Sequence, residues 1–443
     1  MRRTRPSTRT ALAATAVLAT TLTTVLAGAP TGTAASPALP APAWQSSWTA
    51  QGDPWDADVH LVDSVLDPVS GDLFAVARNS EVSDDHLVRR VDGLTGATEW
   101  EVPMELSQYS QLTIDAEARQ LVISHPVPGQ RKQRVRLSAF GLDGEPRWTR
   151  DLGSFGHVRQ QVTDPLRGTT CILTATKGAG TGDQGGLGQR WELGCATRAG
   201  GLQFRRDWRR SGVTAQDRVG LAIDPKRGRW YVAVGRVVRN RSSAVELQAL
   251  GLQGGTRWHR TLSWGPRSIG SVGALTVDPK RGRVLLGTAV DGDRVQPRTT
   301  LTVWNADGRR HAQRTWRSRL ISTIDDLAVS RDGKHYVVAS LFTTSGGTLR
   351  GLRPDLSQRW TTRHTRKGVE GIDLVIDEAK RRVLVAGGEL SAYRWRNGSR
   401  LWRGVPGRDY VGAGLHFDPE RRRLVASWWE GDWPVAHLTA WQV

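Results

Sequence analysis

Apolar and polar positions along this chain follow one pattern that recurs eight times. A short, β-branched-rich apolar run ends at an acidic or small polar residue. A turn rich in Pro, Gly, Lys and Arg follows, and then a second apolar run. SVLDPVSGDLFAVA, LAIDPKRGRWYVAV and LHFDPERRRLVASW are three of the copies. The turn residue is Asp67, Asp115, Asp164, Asp224, Asp278, Ser330, Asp377 and Asp418. A spacing of about 50 residues lies in the range of repeat architectures. Runs this short, bounded by turn formers, read as strands. An opening Asp or Ser bonds its own backbone, and Pro sets φ at the next position. Apolar residues on both faces of each run indicate sheets covered on both sides. No helix-period segment of useful length intervenes.

A second marker follows each unit: Gly, three residues, then an aromatic. It is Gly96–Trp100, Gly144–Trp148, Gly200–Phe204, Gly254–Trp258 and Gly398–Trp402. One unit keeps Gly308 but has Ala312, with Trp316 four residues on; the next has Leu356 before Trp360. The Gly marks the turn between third and fourth strands. The aromatic begins the fourth strand and packs across its own blade or onto a neighbour. Eight first-strand units give only seven complete four-strand sets, because the last ends at Val443 after its third strand. Trp44-Gln-Ser-Ser-Trp48 has the form of Phe204-Arg-Arg-Asp-Trp208 and supplies the missing strand. The expected fold is all-β: a single eight-bladed β-propeller of four-stranded blades over residues 42–443. An N-terminal strand around residues 42–50 pairs with residues 415–443 and closes the ring. Seven blades is the alternative, if the third unit is an insertion. The Gly-rich stretch Lys177 to Gly188 reads as a long loop.

The Gly-x-x-x-Trp turn resembles the tryptophan motif of the quinoprotein (PQQ-like) β-propellers. Asp92-Gly-Leu-Thr95-Gly96-Ala-Thr-Glu-Trp100 is its fullest copy. The Asp-Pro-x-x-Gly turn is similar to that of bacterial surface propellers of the YVTN type. The resemblance covers nearly all of residues 42–443 and implies propeller architecture. The family includes cofactor-dependent dehydrogenases and cofactor-free scaffolds. Its dehydrogenases often carry adjacent Cys near the quinone, and some a haem motif. This chain has neither, so PQQ is not an expected cofactor.

Residues 1–10 are basic, Ala11 to Ala27 is uncharged and apolar, and small residues follow to Ala35. This is the layout of a secretory signal peptide, expected over 1–35. A short Pro/Ala leader spans 36–41. No other stretch is apolar enough to cross a membrane. The mature protein is expected to be secreted, extracellular and monomeric. Cys171 and Cys195 are the only thiols. In an oxidising compartment a disulfide is the preferred reading, and two buried free thiols the alternative.

Three groups are candidate sites. Asp63, Asp326 and Asp373 lie four residues before their turn positions, on strands that line the propeller channel. Close carboxylates bind a hard cation such as Ca²⁺ or raise one another's pKa. Solvated loop acids are the alternative. Trp428, Trp429 and Trp433 form an aromatic patch if exposed, and core if not. Lys plus Arg is 62 against 43 Asp plus Glu, a formal charge of +19. Lys226, Arg227, Lys280, Arg281, Arg381, Arg382, Arg421 and Arg422 recur in one turn, which predicts a basic face. Such a face attracts anionic cell-wall polymers; an Arg-rich genome gives the same composition without function. No motif for specific nucleic-acid binding is present. The expected function is a non-enzymatic scaffold at the cell envelope for an anionic polymer or a protein partner. The alternative is an enzyme: a quinoprotein-like oxidoreductase, or a hydrolase or lyase using the channel carboxylates.

Overall fold

Each repeat folds into one four-stranded antiparallel sheet. The structure is a computed structural model. It describes residues 38–443 except 50–58, 80–85, 105, 107–108, 128–133, 178–188, 211–218, 239–241, 266–267, 293–295, 321, 343–345, 365–370, 407–409 and 431–434. The expected signal segment and the first leader residues lie outside the described residues, as does most of the Gly-rich loop. Blade 4 is representative: Val219–Asp224, Arg229–Val238, Ser242–Gly251 and Thr256–Ser263, each hydrogen-bonded to the next. The third unit is a complete blade, His157–Thr163, Thr170–Lys177, Gln189–Ala196 and Leu202–Arg210. The ring therefore has eight blades, and the seven-blade alternative is set aside.

Consecutive first strands touch all the way round, from Val59–Leu66 to Tyr410–Asp418 and back. They form the inner wall. Closure is as expected from the Trp44–Trp48 segment. Pro42–Thr49 pairs antiparallel with Val435–Gln442, placing Trp44 opposite Ala440 and Trp48 opposite Ala436.

The repeated turn works as its residues dictate. Asp67 accepts the N–H groups of Val69 and Ser70, at 3.0 and 3.2 Å, and Gly71 follows at φ 78°. The outer aromatic packs onto the neighbour. A Cβ on Gly254 (φ +76°) would lie 2.5 Å from the Phe204 ring of the preceding blade. Trp44, Trp100, Trp148, Trp258 and Trp360 sit in the same way under Gly96, Gly144, Gly200, Gly308 and Gly398. The indole N–H of Trp100 donates to Leu142 O at 2.9 Å, and that of Trp258 to Ala306 O at 2.8 Å. Phe204 has no such donor, and Gln203 Nε2 bonds Leu252 O instead, at 3.0 Å. Where Ala312 replaces the aromatic, the next blade has Leu356 in place of Gly, at φ 65°. Leu356 fills the vacated space with Ala312 and Trp316.

Cys171 and Cys195 stand directly opposite on adjacent strands and form a buried disulfide. It closes a segment of 24 residues in sequence separation. Replacing both by Ser is expected to lower unfolding free energy by about 3 kcal/mol. An unchanged melting temperature in the double variant contradicts this.

Candidate functional site

The three channel carboxylates each accept a main-chain N–H from the next blade. Asp63 Oδ2 accepts the backbone N–H of Leu112 in the next blade at 2.8 Å, and Oδ1 accepts Ser64 N at 2.9 Å. Asp326 does the same with Leu374 N and Leu327 N, both at 2.7 Å. Asp373 accepts from the backbone of Leu415. Gln160, at the same repeat position in blade 3, accepts Leu221 N at 2.6 Å. Each links one first strand to the next around the ring. A register shift just before Asp63, Gln160 and Asp326 aims the side chain across the seam, a recognised use of β-bulges. Where a blade has Gly220 instead, a Cβ would lie 2.5 Å from Leu275 of its neighbour, so that seam closes by direct approach.

Among the described residues, no group of three or more His, Cys, Asp or Glu side chains is arranged to hold a metal ion. The carboxylates still influence one another. Asp63 and Asp326 keep an edge open to the channel, but protein surrounds them otherwise. That loss of solvation raises both to about 7, with the charge of Asp373 adding to each. Asp373 is exposed along one edge and rises to about 6, by desolvation and the charge of Asp325. Being the best hydrated, it ionises first as pH rises. Asp325 Oδ2 accepts Ile372 N at 2.5 Å, a second link across the same seam.

Ser64 and His416 complete the inner wall at the closing seam. His416 Nε2 lies 2.8 Å from Ser64 Oγ, which donates to Ser427 Oγ at 3.2 Å. Ser427 Oγ donates to Gly414 O at 3.4 Å. With both hydroxyl protons directed onward, His416 acts as the donor to Ser64, and burial pushes its pKa down to about 4. The ring is a neutral seam donor. The small residues at positions 414 and 427 are the sequence signal that could have revealed this network.

The predicted basic face is largely neutralised from within. Arg227 and Arg421 each bond the turn Asp of their own blade at 3.0 Å, and a carbonyl of the next blade's turn. Arg281 bonds Asp278 and Asp332 O in the same arrangement. Arg382 is buried against Asp377 at 2.8 Å, and Arg422 reaches the same carboxylate at 2.9 Å from the next blade. Among the described residues, Lys226, Lys280 and Arg381 are the members of the eight that stay exposed without an ion pair. These arginines compensate buried turn carboxylates, which spacing alone does not reveal. Trp428 is buried too. It stacks on His437 with ring centres 4.0 Å apart, and its N–H donates to Thr439 Oγ1 at 3.0 Å. It is core and not part of an exposed aromatic patch. The Trp429 side chain and Trp433 lie outside the described residues.

No protein-family model matches the sequence, and no curated protein does. Solved structures do. The chain is similar to the C-terminal WD40 domain of Sif2, with a TM-score of 0.57 and 10% identity over 89% of this chain and 99% of that one. It is similar to the Dos1 propeller, with a TM-score of 0.56 and 8% identity over 90% and 94%. BamB from Moraxella catarrhalis overlays at 0.48, with 16% identity over 87% and 98%. The fold is a β-propeller. Among the described residues no helix is long and apolar enough to cross a membrane.

The raised carboxylates have a measurable sign. Asp63 holds a proton more tightly folded than unfolded, so its contribution is full below about pH 4 and is lost as pH rises through about 7. Asp63→Asn keeps an acceptor for Leu112 and removes the titration. Its stability is expected to fall less than wild type between about pH 4 and 7. His125 and His416, both pushed down to about 4, act with the opposite sign and are common to the two proteins. Asp63→Ala strands the Leu112 N–H and is expected to cost about 1–2 kcal/mol. Urea unfolding across pH checks both, and identical pH slopes for wild type and Asn variant contradict the assignment.

Proposed function

We propose that the protein is a secreted, non-enzymatic propeller scaffold of the cell envelope that binds an anionic polymer. The observation carrying this reading is the charge of the outermost strands. Arg150, Arg257, Arg317, Arg359, Arg363 and Arg403 are exposed on the fourth strands of blades 2, 4, 5, 6 and 7. Among the described residues they have no carboxylate partner. Charged side chains on an edge strand also discourage sheet-to-sheet aggregation, and a girdle with a net positive sign attracts polyanions. Secretion rests on the basic, apolar and small-residue layout of the first 35 residues.

The enzyme alternative has less support. Asp63, Asp326 and Asp373, its candidate acids, already hold the seams between blades. The polymer reading predicts retention on a heparin column at low salt, with elution as salt rises and screens the girdle. Passage through the column unretained at low salt contradicts it.

A further inference from the structure

The seam between blades 5 and 6 departs from the ring's rule and leaves positive charge without a counter-charge. With Ala312 in place of the outer aromatic, Trp316 covers this seam. Arg350 of blade 6 places its guanidinium carbon 4.9 Å from the Trp316 ring centre, and Arg314 lies 5.8 Å from it. The same construction occurs at the closing seam, where Arg89 of blade 1 lies 4.1 Å from the Trp48 ring centre. There Arg89 stands opposite Glu101 across the two outer strands and forms an ion pair with it. Arg350 stands opposite Thr361. The registers are equivalent: Trp100 faces Arg90, Trp360 faces Gly351, and each pair is one step further along. Blade 6 carries the cation of the blade 1 pair without its anion.

Nothing on the neighbouring strands makes up the difference. Arg298–Asn305, Arg310–Arg317, Gly346–Leu352 and Gln358–His364 contain no Asp or Glu. Among the described residues, Arg314 and Arg350 have no carboxylate partner. Arg314 donates one hydrogen bond to Leu356 O and Arg350 one to Ser340 Oγ, both at 2.9 Å. A guanidinium carries five N–H donors, so most of theirs remain available. Burial and the charge of Arg314 push Arg350 down to about 10, the mark of an uncompensated cation. Arg359 and Arg363 flank Thr361 on the exposed fourth strand. Strand alternation puts Arg363 on the face that carries Thr361 and Arg350, whereas the register shift at Arg359 interrupts the alternation there.

We propose that this seam is a phosphate-binding site, with Arg350 and Arg314 as the gripping residues and Arg363 beside them. Guanidinium forks match phosphate oxygens in bidentate geometry. Two adjacent cations suit a multiply charged group, or successive phosphates of a chain, better than one carboxylate. The site rests on the anionic-polymer reading for its polymer and adds the place where a phosphate is held. Free phosphate and the phosphate of a polymer share this chemistry.

Calorimetric titration of the full-length secreted protein with inorganic polyphosphate, and separately with orthophosphate, tests it. Thr361→Glu rebuilds the blade 1 ion pair, so it is expected to melt no lower than wild type while binding polyphosphate about tenfold or more weakly. Arg350→Gln is expected to show the same loss without added negative charge. The joint variant Lys226→Gln/Lys280→Gln, on the turn face, is expected to bind as wild type does. Tighter binding of polyphosphate identifies a polymer as the ligand, equal binding identifies the free ion, and both support the site. Equal polyphosphate binding by wild type, Thr361→Glu and Arg350→Gln overturns the site and leaves the scaffold reading in place. Wild-type protein that binds neither phosphate form but is retained on heparin also overturns the site alone. Failure on phosphate and heparin together overturns both.

Discussion

The seam between blades is the constraint on which this structure depends. Within a blade, backbone hydrogen bonds join all four strands. Between blades, apart from the contact of Leu39 with Arg403, no backbone hydrogen bond among the described residues crosses. Side chains must therefore hold every seam. Three devices recur at different radii: the channel carboxylates and amide near the axis, the turn arginines on one face, and the outer aromatics under the next blade's glycine. The apolar clusters likewise join residues of two adjacent blades, such as Trp191 with Trp230 and Tyr231 with Trp304. A blade could not bury both of its faces alone, and the ring closes because the N-terminal strand gives the last blade its outer edge.

This accounts for how residues that look chemical become structural. A carboxylate facing the channel satisfies an N–H on the inner strand of the next blade, and Asp63 and Asp326 hold their protons up to about pH 7. The turn arginines neutralise carboxylates that the turns themselves require. Much of what remains of the basic excess lies on the outer strands, with Lys226, Lys280 and Arg381 left on the turn face. The blade 5–6 seam then stands out as a place where the internal compensation stops at Arg350.

Much of the architecture was legible in the sequence because it repeats. The Asp turn, the Gly-x-x-x-aromatic marker and the count of strands were enough to reach eight blades and the closing role of Trp44–Trp48. The disulfide was the preferred reading because Cys171 and Cys195 are the only thiols and an oxidising compartment was expected. The site was less legible. Asp63, Asp326 and Asp373 were found by position, but a single sequence cannot show that their partner is a main-chain N–H in the next blade. Arg227 and Arg421 look like surface charge because their carboxylate partners belong to the same turn. Trp428 looks available for binding until its stack on His437 is seen.

Six of the eight seams are matched pairs, an outer aromatic from one blade and a glycine turn from the next, and the seam into the closing blade has no such turn. Ala312 and Leu356 form the exception that tests this pairing. A double-mutant cycle of Ala312→Trp and Leu356→Gly, followed by chemical unfolding, measures the coupling directly. The account predicts that Ala312→Trp alone destabilises by about 1–3 kcal/mol through overpacking against Leu356. Adding Leu356→Gly recovers most of that loss, with a coupling energy of about 1 kcal/mol or more. Additive effects of the two substitutions would contradict the matched-seam account.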